Sequence, residues 1–125
     1  MTLDPSLAGE AYCYLTTTGR ITGKPHRIEI WFALEGRTLY LLAGDGVEGD
    51  GRRRQWVRNL QANPTVSVRL GTRIYGAQAR IVSAAAEDTL ARRLLLAKYA
   101  PTQRDSLADW GRTALPVALD LGALN

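Results

Sequence analysis

Residues 15–32 read LTTTGRITGKPHRIEIWF, and the fold turns on how this stretch divides. Residues 11–17, AYCYLTT, are rich in aromatic and β-branched side chains and predict a strand. Gly19, Gly23 and Pro25 then break regular structure and mark a long turn. From His26 to Glu35 the chain alternates. One face carries His26, Ile28, Ile30, Phe32 and Leu34, and the other Arg27, Glu29, Trp31, Ala33 and Glu35. That period of two predicts a single strand over 26–35 with one face on a core. Between the two strands lies a turn crowded with small, hydroxyl-bearing and cationic residues.

Working outward, Glu35, Gly36 and Arg37 form a hairpin turn into a third strand over 38–43. The segment 44–51, GDGVEGDG, reads as a mobile loop. Residues 52–64, RRRQWVRNLQANP, predict a helix that the Asn63-Pro64 pair ends. A fourth strand over 65–70, a turn at Gly71-Thr72 and a fifth strand over 73–82 follow, with Gly76 marking a bulge. Ser83 is placed to cap a second helix, with Glu87 and Asp88 in its first turn, Leu90, Leu94 and Ala97 as its buried stripe, Lys98 near its end and Pro101 stopping it. Residues 102–112 stay ambiguous between loop and a short helix carrying Trp110, and 115–121 return as a strand. The order β-β-β-α-β-β-α-β has no βαβ alternation. It implies a mainly β chain with α, mostly antiparallel, forming a small barrel.

Composition bounds the function. At 125 residues with 46% apolar content, residues 1–125 suit one domain with a real core. Nothing approaches the roughly 18 apolar residues that span a membrane, and no leader pattern precedes the first strand, so the expectation is a soluble, cytoplasmic protein without an integral membrane segment. One cysteine, Cys13, and one histidine, His26, argue against an internal disulfide and against a metal site. Cys13 reads as a small core residue. The net charge of +4 points toward an anionic partner. The cations gather in two groups, Arg20, Lys24 and Arg27, then Arg52, Arg53, Arg54 and Arg58, each of which also suits a solvated face. Nucleic acid is disfavoured, because no recognition motif or interleaving of exposed aromatics accompanies the charge.

A planar ring needs an apolar wall, and Trp31, beside Ala33 on the non-core face, can supply one. Anionic groups need amides, hydroxyls and cations, which Thr17, Thr18, Gly19, Arg20 and Lys24 offer. Arg27 shares the Trp31 face, and Glu29 on that face suits either tuning a redox ring, donating a proton, or pairing with Arg27 or Arg20. His26 is read as a strand-end or cradle residue before a general acid, and Trp56 as packing or lid before a ring contact. Asn59, one turn on, can bond backbone or ligand.

The pair LTTTGRITGKPHRIEIWF and WVRNLQANPTVSVRLG, in that order and spacing, resembles the deazaflavin-dependent nitroreductase family, strongly over residues 14–82. The resemblance implies a split β-barrel related to flavin-binding pyridoxamine-phosphate-oxidase-like proteins, and coenzyme F420 as cofactor, with flavin mononucleotide as the alternative. It implies hydride transfer to a small electron-poor acceptor such as a quinone, a nitro compound or an activated alkene, and a homodimer. The family pattern carries over to Thr18, Gly19, Arg20 and Gly23 as an anion cradle, to Trp31 at the acceptor side, and to Trp56 and Asn59 on the helix that closes over the cofactor. The chain departs from it at Ile21 and His26, and at Gly44 and Asp45, which stand where relatives carry serine and lysine. Arg52, Arg53 and Arg54 are expected to compensate at the helix start. No catalytic nucleophile or acid–base set is assigned. A non-enzymatic binder of a tetrapyrrole or acyl ligand in the same groove is the other open class.

Overall fold

The alternation over 26–35 belongs to two strands. The computed structural model describes residues 5–44 and 54–124. The strands are β1 (Cys13–Thr18), β2 (Pro25–Ile30), β3 (Ala33–Glu35), β4 (Thr38–Ala43), β5 (Thr65–Leu70), β6 (Arg73–Ile81) and β7 (Leu115–Leu124), and the helices are α1 (Gln55–Ala62), α2 (Ala85–Tyr99) and α3 (Ala108–Thr113). All strand pairs are antiparallel, in the order β2-β1-β5-β6-β7-β4-β3. The two edge strands, β2 and β3, are therefore consecutive in sequence and joined only by Trp31 and Phe32. A sheet whose two edges are tied by two residues has to curl on itself, which gives the split barrel the sequence implies.

The expected single strand thus leaves one edge of the sheet and enters the other, and the peptide groups at the crossing lose their ladder partners. A buried backbone donor or acceptor needs a substitute. Here α2 supplies it. The Phe32 amide donates to the Tyr99 hydroxyl at 3.0 Å, and Lys98 Nζ donates to the Phe32 carbonyl at 3.0 Å. Lys98 also lies 3.7 Å from the Phe32 ring centroid, and burial pulls its pKa down to about 8. Phe32 is fully buried, and removing its ring from water contributes about 1.5–3 kcal/mol.

Inside the barrel, Cys13 and Leu15 of β1 meet Leu39 and Leu41 of β4, Val68 of β5 and Leu119 of β7. Burial pushes the Cys13 thiol up to about 12, as expected of a core residue. β4 is buried on both faces, because Tyr40 and Leu42 pack outward beneath Ala91, Leu95 and Tyr99 of α2. The buried stripe of α2 is therefore Ala91, Leu95 and Tyr99, while Leu90 and Leu94 are half-buried at its side and Ala97 is exposed. Ser83 does not cap this helix; Ala84 takes the N-cap position with no side-chain hydrogen bond.

Several turn and boundary expectations are met, with element ends shifted by one to three residues. Gly36 and Gly71 turn their hairpins at φ 61° and 59°, which only glycine adopts without strain. The β6–β7 register slips between Tyr75 and Ala77, placing the bulge at Gly76. α1 stops before Asn63-Pro64, and Leu60 enters the barrel core from it. A short 3-10 turn over Ala100–Thr102 follows α2, residues 103–107 are irregular, and α3 carries Trp110. No described helix is long and apolar enough to cross a membrane. The part of the glycine-rich loop at 45–51, with Arg52 and Arg53, lies outside the described residues.

Candidate active site

Two cavities adjoin along β2, on the side where α1 and α3 flank the barrel. The first, about 520 Å3, is walled by Trp31, Trp56 and Trp110, with Ile28, Ile30 and Leu42 between them. These are the three tryptophans of the chain. The second, about 690 Å3, is bordered by Arg20, Thr22, His26, Arg54, Trp56 and Asn59. Ile28, Arg54 and Trp56 border both. Each volume lies within the roughly 300–1,000 Å3 of small-molecule sites, and their chemistries differ. One is aromatic and the other cationic.

The cationic cavity is shaped by the turn between β1 and β2. Gly19 N–H donates to the Lys24 carbonyl at 2.8 Å, Gly23 N–H to the Gly19 carbonyl at 2.9 Å, and Lys24 N–H to Thr22 Oγ1 at 3.2 Å. Gly23 adopts φ 74°. Gly19 sits so close beneath His26 that a Cβ there would fall 2.8 Å from His26 Nε2. Asn59, buried on α1, accepts two hydrogen bonds at Oδ1, from the Arg20 amide at 3.2 Å and from Arg20 Nη1 at 2.8 Å. Asn59 thus positions Arg20, and of the alternatives read for it the backbone and guanidinium of the cradle are the partners observed. On the far side, Arg54 Nε donates to the Gly44 carbonyl at 2.6 Å, which turns that guanidinium toward the junction of the cavities.

The aromatic cavity is organised around Trp31. Its ring stacks on Tyr99 with centroids 4.4 Å apart and planes 5° from parallel, and Trp110 meets it at 89° and 5.7 Å. These are the two favoured aromatic geometries. Trp31 therefore has a locked orientation at the cavity wall. Ile28 and Ile30, assigned to the core by alternation, are half-buried and serve as cavity floor as well.

Several sequence-read residues are placed elsewhere. Gly19, Arg20, His26, Arg27, Arg54, Trp56 and Asn59 border the cationic cavity, whereas Thr17, Thr18, Gly23 and Lys24 border neither cavity. Thr17 points to the barrel interior, 1% exposed, and its Oγ1 has no hydrogen-bond partner among the described residues. The Arg27 guanidinium lies over the Tyr14 ring at 4.9 Å, with Arg69 at 4.7 Å on the same tyrosine, so that Arg27 is shared between this ring and the border of the cationic cavity. Glu29 hydrogen-bonds Tyr14, which raises that phenol's pKa, and it also borders the aromatic cavity. Trp110 and Tyr12 were not read as site residues, yet both border the aromatic cavity. The signal for Trp110 was its lone aromatic ring in an otherwise polar segment.

The architecture matches known structures. An F420-H2-dependent reductase superposes with a TM-score of 0.70 at 26% identity, over 90% of this chain and 94% of that one. A Listeria innocua protein named for pyridoxamine 5′-phosphate oxidase gives 0.68 at 14% identity, over 95% and 90%, which shows the shared split-barrel fold. In sequence, the chain is 35% identical over 68 residues to an F420H(2)-dependent quinone reductase of Mycobacterium tuberculosis, covering 54% of this chain and 44% of that protein. The match thus spans less than half the length of that curated relative. A model of the F420H(2)-dependent quinone reductase family matches residues 3–121, and the chain belongs to that family.

Proposed function

We propose that this chain is a deazaflavin-dependent oxidoreductase that binds coenzyme F420 across both cavities and reduces a quinone or a similar electron-poor ring. The carrying observation is the junction at Ile28, Arg54 and Trp56, where an aromatic cavity opens into a cationic one. A flat ring with an anionic tail is the ligand shape that such a junction fits. Arg20, His26 and Arg54 would hold the tail, and the tryptophan-walled cavity would take the ring and its acceptor. When bound, the reduced cofactor supplies a hydride.

The residues contribute binding, orientation and dryness. Asn59 fixes Arg20 before any ligand arrives, which lowers the entropy cost of gripping an anion. Tyr99 and Trp110 hold the Trp31 plane, so that a ring laid in the cavity meets a preset surface. Glu29 borders the aromatic cavity but is engaged with Tyr14, and the proton that completes quinone reduction is taken from solvent. A homodimer and a cytoplasmic location are part of the same proposal, carried by the likeness to the family alone; sedimentation tests the first and fractionation of the producing cells the second.

The test is a parallel titration of the purified protein with oxidised coenzyme F420 and with flavin mononucleotide, followed by turnover of quinone and nitroaromatic probes with F420H2. Micromolar or tighter F420 binding together with quinone reduction supports the reading. Binding of flavin mononucleotide in preference to F420, or F420 binding without turnover, overturns it.

A further inference from the structure

Two of the three tryptophans in the aromatic cavity come from segments that carry the family pattern, and the third comes from α3. Trp110 reaches Trp31 at right angles and closes the end of the cavity formed by Leu42, Ala43 and Gly44. Gly44 makes room for it, because a Cβ at that position would lie 3.0 Å from Trp110 Cδ1. The helix beneath is clamped to α2. Gly111 approaches Leu96 so closely that a Cβ would fall 2.7 Å from it, and Arg92, paired with Asp88 at 2.6 Å, donates from Nη1 to the Gly111 carbonyl at 3.0 Å. The indole is half-buried, so part of its surface stays open while its position is fixed.

We propose that Trp110 is a specificity-determining residue for the acceptor: with Trp31 it forms a corner of two perpendicular indole planes that sets how wide a flat, electron-poor ring can enter. Electron-rich indoles favour an electron-poor ring on a face and a positive ring edge against a neighbour, and a perpendicular pair offers both contacts at once. A ring too wide for the corner loses the second contact. The proposal rests on the reading of the aromatic cavity as the acceptor's place, though ring binding itself needs no cofactor.

The experiment titrates menadione, a small flat quinone, into the protein without cofactor by calorimetry, for the unaltered chain and for Trp110→Ala, Trp110→Phe and Gly44→Ala. Trp110→Ala is expected to weaken menadione by about tenfold, and Trp110→Phe by no more than about threefold. Gly44→Ala is expected to fall between them, because the added methyl displaces the indole without removing it. Inorganic pyrophosphate, a probe of the cationic cavity, is expected to bind the unaltered chain and the two Trp110 variants alike. In the reductase assay Trp110→Ala is expected to raise KM for menadione more than it lowers kcat, and to improve a three-ring quinone relative to menadione. Equal menadione affinity in the unaltered chain and Trp110→Ala overturns the proposal, as does a parallel loss of menadione and pyrophosphate. If menadione depends on Trp110 while F420 fails to bind, the corner stands and the reductase reading falls; if F420 binds and turns over while Trp110→Ala changes nothing, the reverse holds.

Discussion

The Tyr99 hydroxyl accepts the Phe32 amide at 3.0 Å and lies 2.8 Å from the Ala11 carbonyl and 3.1 Å from the Phe32 carbonyl. One phenol thus replaces the ladder bonds lost where the chain crosses from one edge of the sheet to the other. Its ring, on the same side chain, stacks against Trp31. Tyr99 on α2 thus takes part both in the closure of the barrel, with Lys98, and in the orientation of the cavity wall, with Trp110.

Tyr99→Phe separates these roles. It keeps the stacked ring and removes the hydroxyl, leaving the buried Phe32 amide without an acceptor, which costs about 1–3 kcal/mol. Urea denaturation is expected to show that loss with an unchanged slope, while menadione affinity stays within about threefold because the stack survives. A variant as stable as the unaltered chain would mean that another group takes over the Phe32 amide.

Asn59 and Arg20 form the second pair with a measurable link. Asn59→Ala frees the Arg20 guanidinium and amide together, so it is expected to weaken an anionic ligand such as pyrophosphate by about tenfold. Arg20→Ala should cost at least as much. Because both act through one guanidinium, the double variant is expected to bind as poorly as Arg20→Ala alone, a non-additive cycle. Additive losses would show that Asn59 touches the ligand independently.

Much of the barrel could be read from alternation, because β1, β5 and β6 each bury every second residue against the barrel core. The crossing at Trp31-Phe32 could not. Alternation runs through it unbroken, with Phe32 still facing inward, and at the split the Phe32 amide donates to Tyr99, distant in sequence. The stripe of α2 was misplaced by one or two residues for a related reason. Its LARRLLLAKY segment offers leucines on adjacent faces, and Tyr99 decides between them only once its partner is known. In the site, the cradle turn was legible because glycine, threonine and arginine leave a chemical signature at short range. Trp110 was not, since the six residues of α3 carry too little periodicity to fix a face. Arg27 borders the cationic cavity, yet its guanidinium lies over the ring of Tyr14 on the paired strand, a partner that the sequence did not announce.

Away from the site, Glu87 ties α2 to the sheet. Arg80 donates to it at 2.6 and 2.8 Å, Tyr40 donates to it at 2.7 Å, and Arg80 also reaches Asp120 at 2.7 Å. The Arg80 hydrogen bonds, followed by that of Tyr40, pull the Glu87 carboxyl from its ordinary 4.5 to about 2. A carboxyl depressed in the folded state contributes stability above its unfolded value and loses it as pH falls through the folded one. Stability is therefore expected to decline between about pH 4.5 and about pH 2, and Glu87→Gln to be less stable at pH 7 with a flatter decline over that window. Identical acid profiles for the two proteins would remove Glu87 from the explanation.

The two glycines of the cradle turn predict opposite phenotypes. Gly19 has an ordinary backbone but no room, since a Cβ would press on His26 Nε2 at 2.8 Å and on Thr22 Oγ1 at 3.1 Å. Both neighbours are exposed and can move, so Gly19→Ala is expected to cost less than about 0.5–1 kcal/mol of stability. It nevertheless shifts two groups that border the cationic cavity, and pyrophosphate affinity is expected to fall by about threefold or more. Gly23 is the reverse case. Nothing lies within 4 Å of its Cβ position, but its φ of 74° strains any other residue, so Gly23→Ala is expected to cost about 1–2 kcal/mol. Thermal melts and pyrophosphate titrations of both variants give a two-by-two comparison. If Gly19→Ala loses stability without losing affinity, His26 and Thr22 hold the turn together and do not shape the ligand's surroundings.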